Sequence, residues 1–424
     1  MDMKLRFGVV AIFSSFMTLS ACGGGGGGSS DASASNSRST TGPITAFGSV
    51  YVNGNRYVTD NADVYIEDEL ADESDLRVGM MVTVVEDSNG DAASISFDDD
   101  LEGIVTGVDT AAGTIDVMGQ TVTATNETIF ESDVASITNP SQIQAGNIIE
   151  VSGYSSGTGA ISATRIEVKA VDLASYLSTN PEGIEVKGVV MGHSASASEF
   201  NLGSMTVDYS GAVLSDLPAG IDNGIYVEVK STQGLDAADR LIAARVEREG
   251  DGSIEHEGDE NEEYEFSGII MAVGVDTITV NSEVVTITED TEIENDGQGP
   301  LAVGDEVEIE AYFDNNGDLI ATEIEREEAD SSQLELMGTI DTITSTDINI
   351  GTITMVDGVV ILVNNDTLMH DSQDQGVMPD IRFNLSDLMS GDYIEVYATD
   401  NGDGTYTAVK IERDDMPAVA ATAG

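Results

Sequence analysis

The feature that most constrains this chain is a pattern of short strands that returns about five times. Its clearest copy runs from Phe266 to Arg326. Within it, the runs beginning at Phe266, Thr277, Val284, Glu306 and Leu319 alternate apolar and polar residues and are rich in Val, Ile and Thr. A period of two marks strands with one buried face. A strand set that repeats along the sequence means an array of small β units.

Three anchors register the copies. The first is a Gly in the opening strand: Gly48, Gly103, Gly188, Gly268 and Gly338. The second is an apolar-x-x-Gly step before the fourth strand, ending at Gly79, Gly146, Gly224, Gly304 and Gly391. The third is an Ala-x-x-apolar close in the last strand, starting at Ala92, Ala163, Ala243, Ala321 and Ala408. A strand Gly marks a sharp bend or a close approach of backbones. The Gly before strand four suits a positive φ. The Ala fits where strands crowd. The repeats occupy residues 44–100, 101–169, 182–249, 264–327 and 335–413, with linkers at 170–181 and 250–263 and a disordered tail at 414–424. Asp172 is placed to cap a short helix in the first linker, and 364–384 reads as an insertion in the fifth copy. Asn53-Gly54 is the strongest hairpin-turn signal in the chain. Five strands with a loop or helical turn after the third predict an all-β fold: a tandem array of about five OB-like antiparallel barrels. A two-sheet sandwich shared by neighbouring copies is the alternative.

The N-terminus reads as a targeting segment, residues 1–22. Lys4 and Arg6 precede an apolar run, Phe7 to Met17, too short for a membrane-spanning helix. Leu19-Ser20-Ala21-Cys22 resembles a bacterial lipobox, which implies cleavage before Cys22 and acylation of its thiol, palmitate included. An ordinary secretory signal is the plainer reading, but Cys22 is the single cysteine of the chain. Two or three acyl chains hold far better than one, and Gly23 in place of Asp implies sorting to the outer membrane, facing periplasm or cell surface. Residues 23–43 read as a flexible Gly/Ser tether.

The formal net charge is −62. Such a surface repels nucleic-acid phosphates and favours solubility in salty media and loose attraction of divalent cations. Trp is absent and aromatics make up 5 %, so cores are built from Val, Ile, Leu and Ala.

The stretch Phe47-Gly48-Ser49-Val50-Tyr51-Val52-Asn53-Gly54, strand-four steps such as Val303-Gly304-Asp305-Glu306-Val307, and closes such as Ala163-Thr164-Arg165-Ile166 resemble the domain-of-unknown-function family 5666. That family occurs in tandem in bacterial envelope lipoproteins, and the resemblance brings no catalytic residues with it.

His193, His256 and His370 lie apart in sequence, none with a second His or a Cys at ligand spacing, and are expected as exposed turn residues. Acidic tips at Asp314, Asn316 and Asp318 and at Asp400 and Asp403 place oxygens at alternate positions, as Ca²⁺ requires. The loops are short, lack a closing Glu, and are built of default turn residues, so turns are preferred to calcium. No nucleophile elbow, phosphate loop or dinucleotide fingerprint is present. The expectation is a non-enzymatic, outer-membrane-anchored lipoprotein without a cofactor. Its modules serve as an envelope scaffold or as a surface for an envelope protein or glycan. A calcium-dependent adhesion or matrix protein is the alternative, and a carbohydrate-binding or carbohydrate-processing protein the weaker one.

Overall fold

The computed structural model describes residues 38–67, 69–156, 158–249, 263–294, 299–326, 333–372 and 381–415. These fall within one compact unit that begins at Asn36. The signal segment, Cys22, His256 and most of the acidic linker lie outside the described residues. Among the described residues the fold is all-β, apart from a turn of α-helix at Leu173–Tyr176 and short 3-10 turns. Asp172 caps that helix, its Oδ1 accepting from the Ser175 N–H at 2.8 Å.

The fourth module shows how a copy closes. Its opening strand, Glu263–Val273, pairs antiparallel with Thr277–Val280 on one side and with Glu306–Phe313 on the other. Thr277–Val280 turns back into Glu283–Thr286. That strand lies parallel to the closing strand, Leu319–Arg326, which pairs with Glu306–Phe313. The ring order is first, second, third, fifth, fourth and back to first, the order of an OB barrel. The second and fifth modules close in the same way. In the third, the opening strand breaks between Val189 and Met191, dividing the barrel between two sheets.

The strand-four glycines all have positive φ, from 84° at Gly79 to 102° at Gly391. Each donates its N–H to the opening strand: Gly79 to Ile44, Gly146 to Val105, Gly224 to Val190, Gly304 to Ile270 and Gly391 to Ile340. These bonds fix the equivalence of the copies and correct the reading of the first. The residue two before Ile44 is Gly42, so Gly42 and not Gly48 occupies the opening anchor. The opening strand runs Arg38–Phe47, and residues 38–43 are strand rather than tether. Their Ser/Thr/Gly composition reads as low complexity, yet β-branched Thr40 and Thr41 pair with Val84 and Thr83.

The closing Ala sits at a β-bulge. Register shifts fall just after Ala92, Ala163, Ala321 and Ala408. The bulge bends the last strand, so its first half follows strand three and its second half follows an additional short strand. That strand is Asp63–Ile66, Val213–Ser215, Glu292–Glu294 or Leu368–Asp371 in four modules, and the far end of Gln120–Ser132 in the second. A Thr seals the bend in three modules, as Thr128, Thr291 and Thr367 donate to the carbonyls of Ala163, Ala321 and Ala408. Part of the segment read as an insertion, 364–384, is therefore a regular part of the module. His370 lies on this strand and is buried rather than exposed.

The modules are not separate beads. The first opening strand pairs in parallel with the fourth, Arg38 opposite Glu263 through Thr41 opposite Phe266. The second and third meet antiparallel, Leu101 opposite Val186, and share one hydrophobic core. Leu368 of the fifth module and Ile129 of the second enter the core of the first. Ala46 and Tyr51 of the first enter the core of the fifth. The first module is the hub.

Candidate functional site

Four modules line a partly open cavity of about 660 Å³. Asn53-Gly54 builds its first wall. Both residues have positive φ, 46° and 66°, as a two-residue type I′ turn requires. The turn projects from the hub between its neighbours. Asn53 Oδ1 accepts from Ser267 Oγ at 2.6 Å, and Gly54 O accepts from Asn365 Nδ2 at 3.0 Å. Asn55 Nδ2 donates to Glu265 Oε1 at 3.0 Å, and Thr45 Oγ1 to Asn365 O at 2.8 Å. Each junction thus uses the turn's backbone and amide groups, which a hairpin tip leaves unpaired.

The remaining walls carry the charge. Glu127 and Tyr154 come from the second module, Glu306, Glu308 and Glu325 from the fourth, and Asp366 and Asn401 from the fifth. Among the described lining residues there is no Lys, Arg or His. Burial, then the charge of Glu306, pushes the Tyr154 phenol well above its usual range, so it remains a neutral donor. Burial also raises the Asp366 carboxyl. The cavity is a chamber of oxygen atoms with surplus negative charge, lined by hydroxyls and amides able to orient a guest.

A second cleft, about 620 Å³, opens on the third module and is lined by Glu67, Asp98, Glu182, Glu228, Glu247 and Glu249 against Lys187, Lys230 and Arg245. Two carboxylate groups along it have metal-ligand spacing: Glu67, Asp99 and Glu185, and Glu228, Glu247 and Glu249. Burial pushes Glu67 up to about 8 despite Lys187, and raises Asp99 well above the usual range, with the charge of Glu185 adding to it.

The structure does not bring the tip residues together. At the fourth tip, Asp314 Oδ1 accepts from the N–H groups of Asn316 and Asp318 at 2.8 and 2.9 Å. At the fifth, Asp400 Oδ1 accepts from Gly402 N and Asp403 Oδ1 from Thr405 N. These bonds hold the Asp314 carboxyl below its usual range, and the Thr405 hydroxyl, donating to Asp403 Oδ1 at 2.7 Å, and then the Thr405 N–H do the same for Asp403; they are the bonds of ordinary side-chain-capped turns. His193 Nε2 lies 2.8 Å from Tyr209 Oη. His370 Nε2 lies 3.5 Å from Glu131 Oε1, at the junction of the second and fifth modules. The two acidic clefts escape sequence reading because their walls come from four copies in one case and two in the other. The nearest sequence signals are the Asp98-Asp99-Asp100 run and Glu185-Val186-Lys187.

Three segments, 102–167, 267–325 and 337–412, match the family described as Domain of unknown function (DUF5666). They fall in the second, fourth and fifth modules. No curated protein matches the chain. Among solved structures, a multidomain protein with nucleic acid binding domains from Streptococcus pneumoniae aligns over 53 % of this chain and 72 % of its own, at 8 % identity and a TM-score of 0.15. Drosophila Unr CSD456 aligns over 54 % and 97 %, at 14 % identity and a TM-score of 0.13. Scores of this size carry no argument about ligand or role.

Proposed function

We propose that this chain, three of whose barrels match DUF5666, is a non-enzymatic scaffold of the bacterial outer membrane. It is anchored through acyl chains on Cys22, and it binds a small multivalent organic cation of the polyamine class between its modules. The observation that carries the reading is the central cavity: five carboxylates from three modules, no basic side chain among the described lining residues, and a volume of about 660 Å³. Small-molecule sites fall in the range of about 300–1,000 Å³. Ammonium groups find acceptors in the carboxylates and in the Asn and Thr oxygens, while phosphates and other anions are repelled. Fold alone gives no ligand, since OB barrels serve many; the chemistry of the walls supports this one.

The test is calorimetric titration of the full chain with spermidine. Saturable binding that weakens with salt, and weakens at least about tenfold in the paired variant Glu306→Gln/Glu308→Gln, supports the reading. A flat titration, or a neutral oligosaccharide that binds equally well in wild type and variant, removes it. Cys22→Ser tests the anchor: the protein should leave the membrane fraction and lose labelling by a palmitate analogue.

A further inference from the structure

We propose that Glu67, Asp99 and Glu185 form a site for one hard divalent cation of the Ca²⁺ class, clamping the first module to the third. It is distinct from the central cavity and from the hairpin tips. Glu67 follows the short added strand of the first module, Asp99 lies in the connection to the second, and Glu185 sits on the opening strand of the third. One carboxylate oxygen from each lies within 4.8 Å of the other two. That is the spread expected of oxygens around an ion at metal–oxygen distances of about 2.3–2.6 Å.

An acidic cluster alone would be a solvated patch; burial makes this one different. Asp99 and Glu185 are each only 6 % exposed. Asp99 Oδ1 and Glu185 Oε1 are buried and accept no hydrogen bond. Unpaired buried carboxylate oxygens are costly, so a native fold keeps them only with a counter-charge. The basic groups around them are each shared among several acceptors. Lys187 Nζ is bound to Asp98 Oδ1 and, at 2.9 Å, to Asp99 O. It stands 3.6 Å from Glu185 Oε1 and 3.7 Å from Glu67 Oε2, beyond hydrogen-bond reach. Lys230 Nζ takes Glu185 Oε2 at 2.8 Å and Glu228 Oε1 at 3.0 Å. Glu67 Oε1 accepts from the Asp99 N–H at 2.8 Å, which aims Glu67 at the cluster. Four carboxylates, at 67, 98, 99 and 185, share Lys187, which spends two of its three N–H donors on Asp98 and the Asp99 carbonyl, and Lys230, which is itself shared with Glu228. An all-oxygen ligand set selects a hard ion over a thiol- or imidazole-seeking one, and the adjoining cleft supplies an entry path and room for water ligands.

The test is titration of the chelator-treated full chain with Ca²⁺, and separately with Mn²⁺, by calorimetry. One ion per chain should bind, in the range of about 10⁻⁴–10⁻³ M known for extracellular calcium modules. Affinity should fall at least about tenfold in Asp99→Asn and in Glu185→Gln, and remain unchanged in Asp314→Asn and Glu247→Gln. Both ligand variants keep the side-chain shape, and circular dichroism establishes that they fold. Backbone hydrogen exchange gives a second readout: Ca²⁺ should slow exchange around residues 98–100 and 184–187 in wild type and not in Asp99→Asn. Absence of saturable binding to about 10 mM, or binding unchanged in both variants, overturns the proposal and assigns the unpaired oxygens to a proton shared between Asp99 and Glu185.

Discussion

Arg165 is the most informative residue to remove. It lies on the closing strand of the second module, with its side chain 1 % exposed. Its Nη2 meets Glu131 at 2.8 Å and Glu167 at 2.7 Å, and Nη1 reaches the carbonyl of Val78 in the first module at 3.3 Å. Arg165→Met keeps the buried stem and deletes the guanidinium. Two carboxylates then face each other across a closed junction. Breaking a buried ion pair by deleting one partner costs about 3–5 kcal/mol. Glu131 is partly exposed, at 29 %, so the lower end, about 3 kcal/mol, applies. At about 2–4 °C per kcal/mol for a cooperative unit of about 150 residues, the size of the second and third modules with their shared core, the melting temperature should fall by about 6–12 °C. The pH profile carries the cause. Against the effect of burial, the hydrogen bond with His370 and then the charge of Arg165 hold the Glu131 carboxyl below its usual range, and Arg165 followed by Lys169 does the same for Glu167. A depressed carboxyl contributes stability that is present above its unfolded pKa, about 4.3, and is lost as pH falls through the folded value. The acid limb of the wild-type melting profile should therefore flatten in Arg165→Met. Adding Glu131→Gln to the variant should recover part of the loss. Calorimetry from pH 3 to 8 reads all three. A variant within about 1 kcal/mol of wild type would refute the burial of this network.

Other substitutions test the junctions and the cavity. Gly54→Ala places a Cβ 2.6 Å from Asp366 Oδ1 at a φ of 66°; it should cost about 1–3 kcal/mol and weaken spermidine binding, and unchanged melting would argue against the tip's position. Leu368→Ala, emptying a site 7 % exposed in the core of the first module, should cost about 2–5 kcal/mol, and a denaturant midpoint equal to wild type would show that the fifth module does not reach that core. Asp366 has a raised carboxyl, so its contribution is full below the unfolded pKa and lost as pH rises. Asp366→Asn should gain stability relative to wild type as pH rises above the unfolded value of about 3.9, whereas a difference independent of pH would place this carboxyl in water.

Much of the barrel was legible. Period two named the strands, and the apolar-x-x-Gly step marked a positive φ in every copy. The closing Ala marked a crowded position, which proved to be a bulge. Asn53-Gly54 named its own turn. What was hidden has a common cause. The extra strand of each module is only three or four residues long, too short for alternation to stand out, and in the fifth copy it lies inside what reads as an insertion. Residues 38–43 look like linker because Thr pairs as well as Val but counts as polar. Arg165 and His370 look exposed by type. They are buried only because another module covers them, and no local pattern records a partner some 90 or 240 residues away. Both acidic clefts are built from such long-range neighbours, while the acidic tips, which are local, proved to be turns.

The central cavity exists only where the modules fold onto the first rather than trail along a string. Small-angle X-ray scattering on a form beginning at Asn36 tests this most directly. A compact body of about 380 residues has a radius of gyration near 21 Å, whereas five barrels of about 65 residues laid end to end give about 40 Å. A value within a few ångströms of the first is the expected result. A value approaching the second, unchanged by Arg165→Met or Leu368→Ala, would mean that the barrels do not dock and the cavity between them does not exist.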